Sequence, residues 1–383
     1  MRWSELPLGE LPIDIIDGDR GKNYPKQNEF QEEGYCVFLS ATNVTKSGFK
    51  FDAIQFIDEQ KDRALRKGKL SRNDVVLTTR GTIGNSAFFN ESIPYENMRI
   101  NSGMVILRVV PDKFYAPFLY SYLRSQSFLK KVDSIRSGAA QPQLPIRDLV
   151  TVKIPCPDIS EQIRASKFIS NYDDLIENNR RRIQLLEESA RLLYQEWFVH
   201  LRFPGYEQVK IIDGVPEGWD KKPLKQIATL NYGKALKAEV RVPGPFPVYG
   251  SSGEVGSHEK ALVNGPGIVV GRKGNVGSVY WVNTDFYPID TVYFISAEES
   301  SLFLYHALQN VQFINTDVAV PGLNRDMAYS REILIPDDKN YERFLSEVGP
   351  IQEQINKLKD YNNKLAQARD LLLPKLMSGE LTV

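Results

Sequence analysis

Few side chains in this sequence stand at spacings that do covalent chemistry. Its three histidines, His200, His258 and His306, are isolated and show no metal-ligand spacing. No GxxxxGK[ST] run cradles a nucleotide phosphate. No Asn-Pro-Pro-aromatic run is present to hold a flipped base for amino methylation. Asp58-Glu59-Gln60-Lys61 contains an acidic-x-Lys triplet of the kind nucleases use, but it sits in a polar segment with no Pro-Asp upstream. Pro336-Asp337-Asp338-Lys339 reads as a loop into the last helix. These patterns predict a chain that catalyses nothing itself, with no metal of its own.

The residues suited to chemistry are instead suited to contact. Two glycine turns carry cations: Arg80-Gly81-Thr82-Ile83-Gly84 and Gly271-Arg272-Lys273-Gly274-Asn275-Val276-Gly277. Each is an ordinary turn after a strand, or a place where glycine lets backbone approach DNA while Arg80, Arg272 or Lys273 meets a phosphate or a guanine edge. On the second reading the contact candidates are Arg80, Thr82, Arg272, Lys273 and Asn275. Pro247 to Gly253 is a polar, aromatic, flexible loop that reads as an ordinary hairpin or as a contact segment adding Tyr249, Ser251 and Ser252. Tyr232, Lys234, Lys237 and Arg241 lie close to it in sequence and supply charge and a ring. In the first half, residues 136–143 contribute Arg136, Gln141 and Gln143, types that pair with base edges. The same run also serves as a helix-to-strand connector. Asn43, Thr45 and Lys46 are weaker candidates.

Two helices must position these groups. Residues 160–200 contain neither Pro nor Gly, and Ile169, Tyr172, Ile176, Asn179, Ile183, Leu186, Ala190, Leu193 and Trp197 alternate steps of three and four. That is a heptad seam in need of a partner helix. Ser160 is the expected N-cap, Phe203-Pro204-Gly205 the stop, and a helix of this length spans ~60 Å. A second seam runs through Tyr341, Phe344, Val348, Ile351, Ile355, Leu358, Asn362, Leu365, Arg369, Leu372 and Leu376. Gly349-Pro350 either starts a new segment there or kinks a continuous one. Asn179 and Asn362 either fix register or lie solvated at the seam edge. Arg180-Arg181-Arg182 reads as a solvated face or as a contact to a phosphate backbone or an acidic partner. Trp197 and Phe198 read as core at the helix end or as a partner anchor.

The segments flanking the central helix repeat each other in order. Trp3 to Leu8 matches Trp219 to Leu224, Arg80 to Asn85 matches Lys273 to Ser278, Gln141 to Leu144 matches Val320 to Leu323, and Ala190-Arg191 matches Ala368-Arg369. Short strand-like runs such as 74–79, 267–271, 279–282 and 290–295 fill each copy, with one helix following at 114–132 and at 302–311. The expected fold is α+β: two similar globules of mostly antiparallel strands separated by an antiparallel pair of long coiled-coil helices, with pseudo-two-fold symmetry. The boundaries are 1–158, 159–202 for the central helix, 203–338, and 339–378 for the C-terminal helix. The helix seam rests on Ile176, Asn179, Ile183, Leu186, Ile355, Leu358, Asn362 and Leu365.

A chain of 383 residues, 42% hydrophobic and 25% charged, has ample core for such units. It has no 18-residue apolar run and no signal-like N-terminus, and Cys36 and Cys156 form no CxxC pair, so a cytoplasmic protein without membrane contact is expected. Zero net charge excludes a uniformly basic nucleic-acid binder but not local basic patches.

The whole chain resembles the type I restriction-modification specificity subunits. The carriers are Gly271 to Gly277, Glu161-Gln162, Leu185-Leu186-Glu187, Tyr194-Gln195-Glu196-Trp197-Phe198 with Arg202-Phe203-Pro204-Gly205, and Arg369-Asp370-Leu371-Leu372-Leu373-Pro374-Lys375-Leu376-Met377-Ser378-Gly379. The first copy departs from the pattern, having Thr82 where the second has Asn275. The resemblance implies two target-recognition domains, each reading half of a bipartite double-stranded DNA site. It implies helices that act as a ruler and dock two methyltransferase subunits, with motor-nuclease subunits joining a full complex. S-adenosylmethionine, ATP and magnesium would then be held by those partners and none by this chain. The rival reading from the residues alone is a coiled-coil adaptor with no DNA role, and a steep salt dependence of DNA binding separates the two.

Overall fold

The computed structural model describes residues 3–135, 142–313 and 322–381. The chain divides into two compact units, the first Met1–Glu177 with Asn362–Val383 and the second Asn178–Tyr361. Each unit thus contains one globule and half of each long helix.

The centre of unit 1 is a four-stranded antiparallel sheet in the order Ile13–Asp17, Met104–Val109, Val75–Thr78, Ser86–Phe88. Val75, Val76, Leu77 and Thr78 are all buried. A strand sends alternate side chains to opposite faces, and here both faces are covered. Val75, Leu77, Val105 and Leu107 enter a core shared with helix Ala116–Leu123 and the start of the central helix, whereas Val76, Met104 and Ile106 enter a second core with Val37, Leu39 and Met98. That second core is roofed by a three-stranded sheet, Gln55–Ile57, Cys36–Leu39 and Met98–Ile100, whose last pair is parallel.

Unit 2 repeats the plan. Its sheet runs Asn231–Tyr232, Val292–Ile295, Gly267–Gly271, Val279–Val282, and its roof runs Gly253–His258, Phe246–Gly250, Tyr287–Pro288, again ending in a parallel pair. Each unit is tied near its helices by a short ladder, Glu5–Pro7 with Lys153–Pro155 and Asp220–Pro223 with Glu332–Ile335. The expected single helix at 114–132 is two, Ala116–Leu123 and Gln126–Ile135. Its counterpart is the single helix Leu302–Asn310.

The central helix covers Ile159–Tyr194 and ends in a π turn, Gln195–Val199. Ser160 is inside it. The residue ahead of the first turn is Asp158, whose carbonyl accepts from Glu161 N and Gln162 N. Gln162 is buried, accepts from Tyr115 N at 2.9 Å and donates to Pro157 O at 2.8 Å, so it fastens the helix start to the globule. The C-terminal helix is continuous over Asp338–Ser378, through Gly349-Pro350.

Within each unit the two helix halves pack antiparallel. In unit 1, Ala165 and Ile169 share a core with Leu373, Leu376 and Met377, and Arg369 and Arg124 meet on the Asp173 carboxylate at 2.6 and 2.8 Å. This pairing explains a guanidinium at a seam position. In unit 2, Ile183 packs on Ile355 and Leu358, with Leu186 beside them. Asn179 is buried and Asn362 half-buried, so Asn179 lies inside the seam. Trp197 and Phe198 are core: Phe198 lies 5.0 Å from Phe344 and 5.1 Å from Phe303, ring centre to ring centre.

Candidate nucleic-acid interface

The two glycine turns are built from one set of backbone bonds. In unit 1, Gly84 N donates to Thr78 O and Thr78 N to Asn85 O; in unit 2, Gly277 N donates to Gly271 O and Gly271 N to Ser278 O. The turns need glycine where φ is positive: +73° at Gly81 and +87° at Gly84, and +77° at both Gly274 and Gly277. Each turn then receives a short extended segment that runs into a small helix, Ile146–Leu149 in unit 1 and Arg325–Tyr329 in unit 2. Among the described residues no strand stands there, so the expected helix-to-strand connector leads to an isolated bridge instead. Leu144 N donates to Thr79 O and Leu323 N to Arg272 O, while Arg80 bridges Gln143 and Lys273 bridges Gly322. These contacts equate Thr79 with Arg272, Arg80 with Lys273, and Thr82 with Asn275.

A third segment closes the same end of each sheet. In both units a glycine follows the edge strand and passes so close to the neighbouring chain that a Cβ would fall on backbone, 2.2 Å from Asn101 O at Gly18 and 2.0 Å from Ile289 O at Gly233. The residue before that glycine is Asp17 in unit 1, paired with Val105, and Tyr232 in unit 2, paired with Tyr293.

In unit 2 this end gathers several of the expected residues. The Tyr232 ring is 51% exposed, and the Arg272 guanidinium carbon lies 5.0 Å from its centre. Arg272 Nη1 also donates to Asp290 O at 2.9 Å. Tyr293 lies under both, 5.1 Å from Tyr232, and donates its hydroxyl to Leu323 O. Burial pushes the Tyr293 phenol up to about 12, so it remains a neutral donor. Lys273, Asn275, Lys234 and Ser252 are exposed around this cluster. Lys234 is held by its backbone N–H on Pro288 O.

Other expected residues hold the frame rather than project from it. Ser251 is buried; its carbonyl accepts from Ser278 Oγ at 2.6 Å and Tyr280 Oη at 3.1 Å. Tyr249 packs on Tyr280 and Phe286, and burial raises its phenol to about 12. Arg241 donates to Val255 O and Leu236 O. In unit 1, Thr82 is exposed and donates to Ala41 O at 3.1 Å. Asn43 is buried and donates to Lys50 O and Ala53 O, and Thr45 donates to Gly48 O, so both shape a local turn. Arg80 is exposed and Gln143 half-buried. Arg136 and Gln141 lie outside the described residues.

Arg325 was not among the sequence candidates. It opens the short helix Arg325–Tyr329 and places its guanidinium carbon 5.1 Å from the Tyr232 ring centre and 5.9 Å from that of Tyr329. The available signal was position: Arg325 comes two residues after Leu323, which the repeat already matched to Leu144.

The acidic motifs have structural roles. Asp58 caps the short helix Glu59–Ala64 by accepting from Lys61 N, and Lys61 pairs with Glu29 at 2.6 Å. Asp337 accepts from Asn340 N and from Trp219 Nε1. Among the described residues there is no cluster of His, Cys, Asp and Glu suited to a metal, and no helix long and apolar enough to cross a membrane.

The family described as type I restriction modification DNA specificity domain matches residues 3–188 and 216–367, one match per copy of the repeat. A specificity subunit of the MjaIX type I restriction enzyme of Methanocaldococcus jannaschii is 26% identical over 82% of this chain and 78% of its own. That of the HindI enzyme of Haemophilus influenzae is 21% identical over 99% of both. A crystal structure of a type I restriction-modification S subunit from M. genitalium has the same fold, with a TM-score of 0.55 at 17% identity over 98% of this chain and 96% of that one.

Proposed function

This chain belongs to the family of type I restriction modification DNA specificity domains, and we propose that each of its two units reads one half of a bipartite double-stranded DNA target. As a specificity subunit it supplies sequence choice, not catalysis. The central and C-terminal helices join the readers, set the spacer and dock two methyltransferase subunits, and a full restriction complex adds motor-nuclease subunits. S-adenosylmethionine, ATP and magnesium belong to those partners. The observation that carries this reading is one backbone frame built twice, with different side chains at matching positions. Readers of palindromes duplicate a whole chain, whereas an asymmetric target calls for two different readers on one chain. Docking is supported by leucines exposed on the long helices, Leu185 at 68% and Leu371 at 73%.

Two experiments test it. DNA binding by the full chain with its methyltransferase partners should weaken steeply with salt, because phosphate contacts release counterions. Salt-insensitive association would favour the adaptor reading. The spacer role is tested by adding one heptad at Ile183 and one facing it at Leu358, where the seam residues pack together. Seven residues add ~10 Å of helix, equal to about three base pairs at ~3.4 Å each. Methylome sequencing should return the same half-sites with a longer gap. Affinity should fall, since three base pairs turn the groove by roughly 100°. New half-site bases, or an unchanged gap with retained methylation, would remove the helices from that role.

A further inference from the structure

The cluster around Tyr232 has a feature that phosphate attraction alone does not explain. Two guanidinium groups, those of Arg272 and Arg325, lie against one exposed ring, at 5.0 and 5.1 Å from its centre. Neither forms an ion pair with a carboxylate among the described residues. Like charges held close repel unless an anion or an electron-rich group answers them. Arg272 donates to Asp290 O and also meets Tyr293, and Arg325 makes no side-chain hydrogen bond among the described residues. A guanidinium has five donors, so several donors of the two forks have no partner among the described residues.

Resting a guanidinium on a ring fixes its plane, which a bidentate contact requires and a simple charge contact does not. Simple charges are already present nearby as the exposed lysines Lys234 and Lys273. A phosphate contact serves any sequence, so a frame built twice would be expected to repeat it. The three positions of this cluster are not repeated: unit 1 has Asp17 for Tyr232, Thr79 for Arg272 and Ile146 for Arg325, on matching backbone. The side chains that differ on a shared frame are the ones that can distinguish half-sites.

From this we propose that Arg325 and Arg272, steadied by Tyr232, read guanines by paired hydrogen bonds to O6 and N7, so that the half-site of unit 2 contains G·C pairs at the positions they meet. The proposal rests on unit 2 being a DNA reader and adds which bases it reads and with which side chains. Arg325 is exposed and opens a short helix, so its replacement leaves the fold intact. Arg272 is half-buried against Tyr232 and Tyr293, so its variant also needs a circular-dichroism melt.

The test is competition binding with the full chain in its methyltransferase complex, against duplexes carrying every single base-pair change in the methylated motif. The wild type should lose roughly five- to 150-fold when a contacted G·C pair is changed. Arg325→Ala should abolish that penalty at one G·C position of one half-site and leave the other half-site's penalties unchanged. Arg272→Ala should do the same at a second position. Arg325→Lys should fail to restore discrimination, because lysine has no fork. Three results overturn the proposal: a half-site with no G·C pair that responds to Arg325, a uniform loss across all duplexes with a shallower salt slope, and full rescue by lysine. The second identifies a phosphate clamp, and the third shows that a point charge suffices and no paired contact is made. Absence of any sequence preference in the wild-type complex is a different failure, that of the DNA-reading function itself.

Discussion

Unit 1 carries Asp17, Thr79 and Ile146 where unit 2 carries Tyr232, Arg272 and Arg325. Around those positions the same main backbone bonds recur: those that close the glycine turn, the one from the extended segment entering after it, and the glycine pressed against Asn101 O or Ile289 O. Elsewhere the units diverge by addition. Unit 1 has an extra helix, Glu59–Ala64, locked by Arg99, whose Nε meets Asp62 at 2.6 Å while its other nitrogens reach the carbonyls of Asp62, Leu65 and Lys67. In unit 2 the matching strand offers Tyr287 beside His258 instead. The difference teaches that the two sheets and the glycine contacts form a scaffold common to both units, on which side chains and insertions vary.

The largest expected break of that parallel is in the insertion. Asp62 and Arg99 are both buried, and removing one partner leaves an uncompensated charge. Asp62→Ala should destabilise unit 1 by ~3–5 kcal/mol. Hydrogen exchange should show protection lost in 13–109 and retained in 220–335.

Acid should separate the units in the opposite direction. His306 packs among Tyr194, Tyr305 and Phe344 in unit 2, and burial lowers it to about 4 from 6.5. A folded value below the unfolded one means the unfolded chain binds the proton first. Stability is therefore full above pH 6.5 and falls as pH drops toward 4, by up to ~3 kcal/mol. In unit 1, burial alone would raise Asp62, but hydrogen bonds from Lys69 and Arg99 outweigh it and hold the carboxyl below its ordinary 3.8. Its contribution is lost only below that pH. Hydrogen exchange at pH 5 should thus loosen unit 2 before unit 1, and His306→Phe should flatten the difference.

The scaffold itself should respond alike in both copies. Gly18→Ala and Gly233→Ala each force a methyl group onto backbone and should each cost ~1–3 kcal/mol, measured by chemical denaturation. A much smaller effect in one unit would show that the frames are not equivalent. The smallest effect belongs to the ring: Tyr232→Leu should remove ~0.5–1 kcal/mol of cation–ring attraction and blunt base discrimination in one half-site without altering the melting temperature.

Much of this was legible in the sequence because it is periodic or repeated. Of the eight seam positions, Ile176, Asn179, Ile183, Ile355 and Leu358 are buried and Leu186, Asn362 and Leu365 half-buried, and the glycine turns stand in both copies as the repeat required. Tyr232, Arg272 and Lys273 could be named because charge and aromatic type are visible in a sequence. Arg325 could not, since it reaches Tyr232 only through the fold. Ser251 and Tyr249 illustrate the converse: both look like loop residues suited to contact, but the loop folds under the turn, and what it presents there is the Ser251 carbonyl. No sequence pattern reports which side of a turn a serine faces.

The central claim is that one unit reads one half-site through side chains on a common frame. Arg325→Ala and Arg80→Ala place one change in each unit, both at exposed residues beside equivalent turns. Methylome sequencing of cells carrying each variant measures the outcome directly. The account predicts that Arg325→Ala relaxes bases in one half-site only, that Arg80→Ala relaxes or weakens recognition of the other half only, and that the gap between halves is unchanged in both. Altered recognition of both halves by either variant, with the protein still folded, would contradict it.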